Sequence, residues 1–138
     1  MKKVAFVAPF SWIGISNPLI NSALWLSEKD YQVDIFTTYN KKNQKRGINN
    51  FDFQNRNIHV FLHKENIFKL VISKIFFYSN YFYGRKINID NYQYLIAFDY
   101  EGLKIVDNIS KRSKIKIIFF SLEIENRKSI SQNAKKIM

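Results

Sequence analysis

No stretch constrains the chain more than Lys2 to Glu28, KKVAFVAPFSWIGISNPLINSALWLSE. It opens on an unbroken apolar run, Val4 to Pro9, of the kind a strand buried on both faces needs. The run ends in a turn-rich segment holding Pro9, Ser11, Gly14, Ser16 and Asn17. A helix is expected next, with Asn17 as N-cap and Pro18 at the first helical position, where a missing N–H costs nothing. Its apolar side is expected to bury Leu19, Ala23, Leu24 and either Leu26 or Trp25. Strand, loop and helix in this order open an α/β nucleotide- or sugar-binding domain. The unpaired N–H groups of the helix start suit an anionic or hydroxyl-rich ligand beside the loop.

The rest of the chain repeats the unit. Tyr31–Thr38 (YQVDIFTT), Asn57–Lys64 (NIHVFLHK), Asn91–Phe98 (NYQYLIAF) and Ser113–Phe120 (SKIKIIFF) read as strands, rich in β-branched and aromatic residues. A helix is expected from Asp99 to about Arg112, and a last one with a weak apolar stripe over Asn126–Met138. Alternating strands and helices imply a parallel sheet covered on both faces. The expected fold is therefore α/β: a three-layer, Rossmann-like, doubly wound parallel sheet of about five or six strands, one domain over residues 1–138. Ligands of such sheets bind at the carboxyl ends of the strands, where strand order reverses. Phe10–Asn17, Asp99–Gly102 and Ser121–Glu125 are expected to converge there.

Composition narrows the function classes. A chain of 138 residues, 46% apolar, can bury one core and is not disordered overall. It has no cysteine, which excludes disulfides and thiolate metal sites. Met1-Lys2-Lys3 followed by a short strand is not a signal peptide. The net charge of +11 favours an anionic partner: nucleic acid, phospholipid head groups or a phosphorylated ligand. A Lys-, Asn- and Ile-rich composition from an AT-biased genome is the alternative. Tyr39–Arg56, with Lys41, Lys42, Lys45 and Arg46, lacks periodicity and is expected to be a mobile, solvated basic loop, a binding patch being the other reading.

His59 and His63 stand four apart, but on a strand that is about 13 Å, too far for one ion. His59 is read as an ordinary strand residue. Residues 65–86 (ENIFKLVISKIFFYSNYFYGRK) are aromatic-rich, but Lys69 and Lys74 interrupt any membrane span. They form either an aromatic helix packed on the sheet or an interfacial helix touching lipid. Glycines at 14, 47, 84 and 102 make no dinucleotide fingerprint and no Walker loop, and no G-x-S-x-G elbow occurs. No cofactor and no metal are expected.

Three stretches, KKVAFVAPFSWIG, YQYLIAFDYEGLKI and KIIFFSLEI, together resemble the amino-terminal domain of GT-B glycosyltransferases, of the retaining bacterial type. In that family the amino-terminal half binds the acceptor, a carboxyl-terminal half binds the sugar nucleotide, and the reaction takes place between them. The resemblance implies that Gly14 lies near the donor phosphates, Asp99 at the cleft floor, and Glu123 where it orients acceptor or loop groups. The implied substrate-binding set is Ser11, Trp12, Gly14, Asp99, Tyr100, Glu101, Ser121 and Glu123; no catalytic residue is assigned. Each has a plainer reading: Asp99 as a helix cap, Glu123 paired with a lysine, Gly14 permitting a turn, Trp12 tucked against Trp25 rather than stacked on a sugar.

The chain departs from the pattern. The usual paired glycines are reduced to Gly14, and the His that often precedes the acidic residue is Phe98. No two of Glu28, Glu65, Glu101, Glu123 and Glu125 stand eight apart, as the donor half requires. The expectation is an acceptor-side half (a fragment, a truncated frame or one subunit of a split enzyme) that meets a nucleotide sugar only with a donor-binding half. Its acceptor would be a glycan or lipid-linked sugar of surface polysaccharide synthesis. Its place would be the cytoplasm, including an anionic membrane surface at the inner face, with a second subunit as a further partner. The alternative is a non-enzymatic basic α/β module binding nucleic acid or a partner protein.

Overall fold

The computed structural model describes residues 1–64, 87–111 and 113–122. The aromatic segment 65–86, Glu123 and the expected last helix lie outside the described residues. Five strands are present: β1 (Lys2–Ala8), β2 (Tyr31–Thr38), β3 (Ile58–His63), β4 (Tyr94–Phe98) and β5 (Lys116–Phe120). Helix α1 (Asn17–Glu28) joins β1 to β2, the short α2 (Lys41–Lys45) follows β2, and α3 (Asp99–Ser110) joins β4 to β5.

All four strand pairings are parallel, in the order β3-β2-β1-β4-β5. The strand order therefore reverses between β1 and β4. Val4 to Ala8 of β1 are at most 1% exposed, which is why that run is apolar without alternation. One face of the sheet carries Val4, Phe6, Val33, Ile35, Ile96 and Phe98, packed with Leu19 and Ala23 of α1. The opposite face carries Ala5, Val7, Leu95 and Ala97, packed with Ile105 and Val106 of α3. Helices on opposite faces make the three layers and the doubly wound, Rossmann-like architecture that the alternation predicts. Each fully buried Val, Leu, Ile or Phe in these clusters contributes about 1.5–3 kcal/mol. Stacked and tilted rings of Phe6, Phe98 and Phe120 tie β1, β4 and β5 on the first face, with centroids 5.0 and 5.3 Å apart.

Several local expectations change. The N-cap of α1 is Ser16, not Asn17, so Pro18 falls one place further in, still within the turn that lacks partners. Leu19 and Ala23 are buried as expected, joined by Ile20 and Ser27, while Trp25 is 58% exposed on the outer side. Strand β4 begins at Tyr94 because Ile89–Asn91 closes a 3₁₀ turn first. Strand β5 begins at Lys116 because Ser113 turns back, its N–H on Ser110 and its hydroxyl accepting from the Ile115 N–H.

The basic stretch is not a free loop. Asn40 caps α2 by accepting from the Asn43 N–H at 3.0 Å. Asn49 is fully buried, donates to Thr38 O at 2.8 Å and accepts from the Asn40 N–H at 2.9 Å. Its amide replaces the backbone partners a strand would have had, and this order leaves no periodic trace in the sequence. Among the described residues no helix is long and apolar enough to cross a membrane.

Candidate functional site

In a parallel sheet every strand delivers its carboxyl end to the same edge, so the loops after β1, β2, β3, β4 and β5 share it. The first loop is folded tightly there. Phe10 N–H returns to Ala8 O at 2.8 Å, and Phe10 O accepts from the Thr37 hydroxyl. Phe10 and Trp12 stack, with centroids 4.1 Å apart and planes 21° off parallel. Trp12 thus packs on Phe10, not on Trp25. Asn43 of α2 donates to Ser11 Oγ at 2.6 Å, and Gly14 N–H donates to Ile48 O at 2.9 Å. A side chain at Gly14 would stand 2.4 Å from Asn50 O and 2.9 Å from Ile48 O. Glycine is needed there because a second backbone passes against it, and its N–H is already engaged.

Beside these contacts lies a solvent-open pocket of about 410 Å³, within the range of small-molecule sites. Pro9, Phe10, Ser11 and Trp12 form one wall; Thr38, Tyr39, Asn40 and Lys64 form the other. Lys64 reaches over the Tyr39 ring, 5.4 Å from its centroid. At the start of α1, outside the pocket lining, Ser16 is 3% exposed, and its hydroxyl has no hydrogen-bond partner among the described residues. Because Ser16 does not cap α1 with its side chain, the first-turn N–H groups keep their donors. Aromatic faces, amide and hydroxyl groups, and one cation are what a polyhydroxylated ring requires: stacking for its apolar face, donors and acceptors for its hydroxyls.

Asp99, Tyr100, Glu101 and Ser121 gather on the other flank, at the ends of β4 and β5. Asp99 does not cap α3; the cap position is Phe98, with no side-chain cap. Asp99 instead sits at φ +57° and accepts from the Leu122 N–H at 2.6 Å, tying β5 to the start of α3. Tyr100 is 63% exposed, with Lys104 Nζ 4.5 Å from its ring centroid. Lys104 also bonds Glu101 at 3.0 Å, which holds the ammonium above its usual range. Ser121 is exposed beyond β5, and Glu123 is not among the described residues. The flanks meet at Gly102, where a side chain would lie 2.6 Å from Val7 O and 3.5 Å from Pro9 Cδ. Helix α3 therefore starts directly on the end of β1, at the point where strand order reverses.

Tyr39, Asn40 and Lys64 were not legible as site residues, since each stands just past a strand end with no motif. The Asn-rich run from Asn40 to Asn50 was the available signal: side-chain amides so dense in a connection serve to satisfy its backbone. A second polar group lies on the α3 face of β2. Asp34, 5% exposed, accepts from Tyr92 OH at 2.8 Å, His59 Nδ1 at 2.9 Å and Gln32 Nε2 at 3.0 Å. Burial first, then the bond to Asp34 and its charge, raise the Tyr92 phenol well above the ordinary tyrosine range. His59 is thus more than a plain strand residue: it partners a buried carboxylate. No group of three or more metal-ligating side chains occurs among the described residues. No family model matches the chain, and neither curated proteins nor solved structures give a match.

Proposed function

We propose that this chain forms the acceptor-binding wall of a GT-B-type glycosyltransferase, passing a sugar from a nucleotide sugar to a glycan or lipid-linked acceptor. The observation that carries the reading is the pocket at the carboxyl edge, where the Phe10–Trp12 stack faces Tyr39, Asn40 and Lys64. The resemblance of three sequence stretches to the family supports it, and the parallel, doubly wound sheet is the architecture such a wall requires. In this reading Trp12 and Phe10 stack on the acceptor ring. Ser11 and Asn40 bond its hydroxyls. The acidic flank of Asp99, Tyr100 and Glu101 borders the cleft. Donor binding belongs to a second half carrying the nucleotide-sugar site.

Transfer assays with nucleotide sugars and lipid-linked acceptors test it, run with and without an added donor-binding domain. Transfer is expected only with the added domain, and Trp12→Ala is expected to abolish it while Trp25→Ala does not. Transfer at full rate by the chain alone, or an unchanged rate in Trp12→Ala, would overturn the assignment.

A further inference from the structure

Lys64 is the charged residue that lines this pocket, and α2, which Asn40 of the pocket wall caps, is basic. Between Asp34 and Asp52 the chain holds no carboxylate, yet it holds Lys41, Lys42, Lys45 and Arg46. Lys64 adds a fifth cation at the mouth. Among the described residues no carboxylate pairs with any of the five; the ion pairs there join His59 to Asp34 and Lys104 to Glu101.

Nor do these cations ride on a free loop. Helix α2 is capped by Asn40, bonded to Ser11 through Asn43, and backed by the buried Asn49. Like charges gathered on one short helix repel one another at a cost in stability, and over a Debye length of about 10 Å such fields add. A neutral ligand would leave that field uncompensated. An anion at the rim compensates it while its attached ring lies on Trp12.

We infer that the sugar bound here carries a phosphate ester, with the sugar on the Phe10–Trp12 face and the phosphate at Lys64 and the α2 cations. The inference rests on the acceptor-wall reading and specifies its ligand class. The phosphate can be that of a soluble sugar phosphate or of a lipid-linked sugar; the chemistry at Lys64 is the same.

The chain contains two tryptophans, so the Trp25→Phe protein reports on Trp12 alone. Its fluorescence is to be titrated with N-acetylglucosamine, N-acetylglucosamine 1-phosphate, inorganic phosphate and phosphatidylglycerol vesicles. The sugar phosphate is expected to bind about tenfold tighter than the parent sugar, the size of one charge-assisted hydrogen bond in a partly exposed site. Lys64→Gln should remove most of that advantage, Lys64→Arg should keep it, and added salt should shrink it. Sugar phosphate competing with the vesicles would support a lipid-linked source as well as a soluble one. Equal affinity for sugar and sugar phosphate would overturn the inference while leaving the acceptor wall intact. So would vesicle binding that the sugar phosphate does not displace, or inorganic phosphate binding as tightly as its sugar ester. No response to any sugar would sink the acceptor reading and this inference with it.

Discussion

On the β1–β2 flank of the carboxyl edge, side-chain amides hold the loops. Asn43 reaches Ser11, Asn49 spans Thr38 and Asn40, and Ile48 takes the Gly14 N–H. On the β4–β5 flank one carboxylate does the same task, Asp99 fastening Leu122. The first flank leaves a pocket with aromatic walls and no acid; the second presents exposed acids and a tyrosine that Lys104 already engages. Neutral amides can satisfy buried backbone without adding charge, so the cations around them stay available for a ligand. A carboxylate satisfies backbone equally well but brings its own field. In the proposed function, binding falls to the first flank and a border role to the second.

The largest expected effect tests where the flanks join. Gly102→Ala sets a methyl against Val7 O and should destabilise the whole chain by about 3 kcal/mol in denaturant unfolding, at the upper end for overpacking. Gly14→Ala meets the Ile48 and Asn50 carbonyls but on a surface connection. Hydrogen exchange should show its loss of protection confined to residues 9–16 and 39–50. Global loss in both variants would erase the distinction between the flanks.

Away from the edge, Asp34→Ala strands Tyr92, His59 and Gln32 and is expected to cost about 2–3 kcal/mol. The raised Tyr92 pKa gives the pH dependence a sign. The folded state holds the phenol protonated, so this contribution is complete below the ordinary tyrosine value of 10.0 and is lost as pH rises beyond it toward the folded pKa. Stability should fall more steeply in that alkaline window for the native chain than for Tyr92→Phe. The reverse order would remove the Asp34–Tyr92 bond from the account.

Asn49→Ala should cost about 1–3 kcal/mol through its two lost backbone bonds and should release the basic helix from the pocket rim. Asp99→Val gives up both the Leu122 bond and a residue type that tolerates positive φ, for about 1–3 kcal/mol. Asp99→Asn keeps both and should stay within about 0.5 kcal/mol. Lys104→Gln, which breaks an exposed pair, should leave thermal unfolding unchanged. A marked effect there would mean that the acidic flank is organised for more than bordering the cleft.

The frame of the fold could be read before any coordinates. Tyr31–Thr38 forms β2 residue for residue, and the Val4–Pro9 run marks the central strand, because burial on both faces forces an apolar sequence. That the loops after β1, β4 and β5 share one edge followed from parallel strands alone; Asp99 meets Leu122 there, and Gly102 lies against Pro9, just ahead of the first loop. What escaped was held by single polar side chains. Asn49 orders the basic stretch from nine residues away, and Trp12 takes Phe10, two residues back, as its partner. Neither contact has a period. Asp34 gave a readable signal in YQVDIFTT, where a lone acid inside an apolar strand calls for partners; the sequence does not say that they come from β3 and from the turn before β4.

The central claim is that a sugar ligand meets this chain at the pocket between the first loop and the ends of β2 and β3. Backbone amide NMR during titration with N-acetylglucosamine 1-phosphate tests it most directly. Shifts should concentrate at residues 10–16, 38–43 and 64, with smaller ones at 99–102. Shifts centred instead at the amino ends of the strands, around residues 30–32 and 90–93, would contradict it.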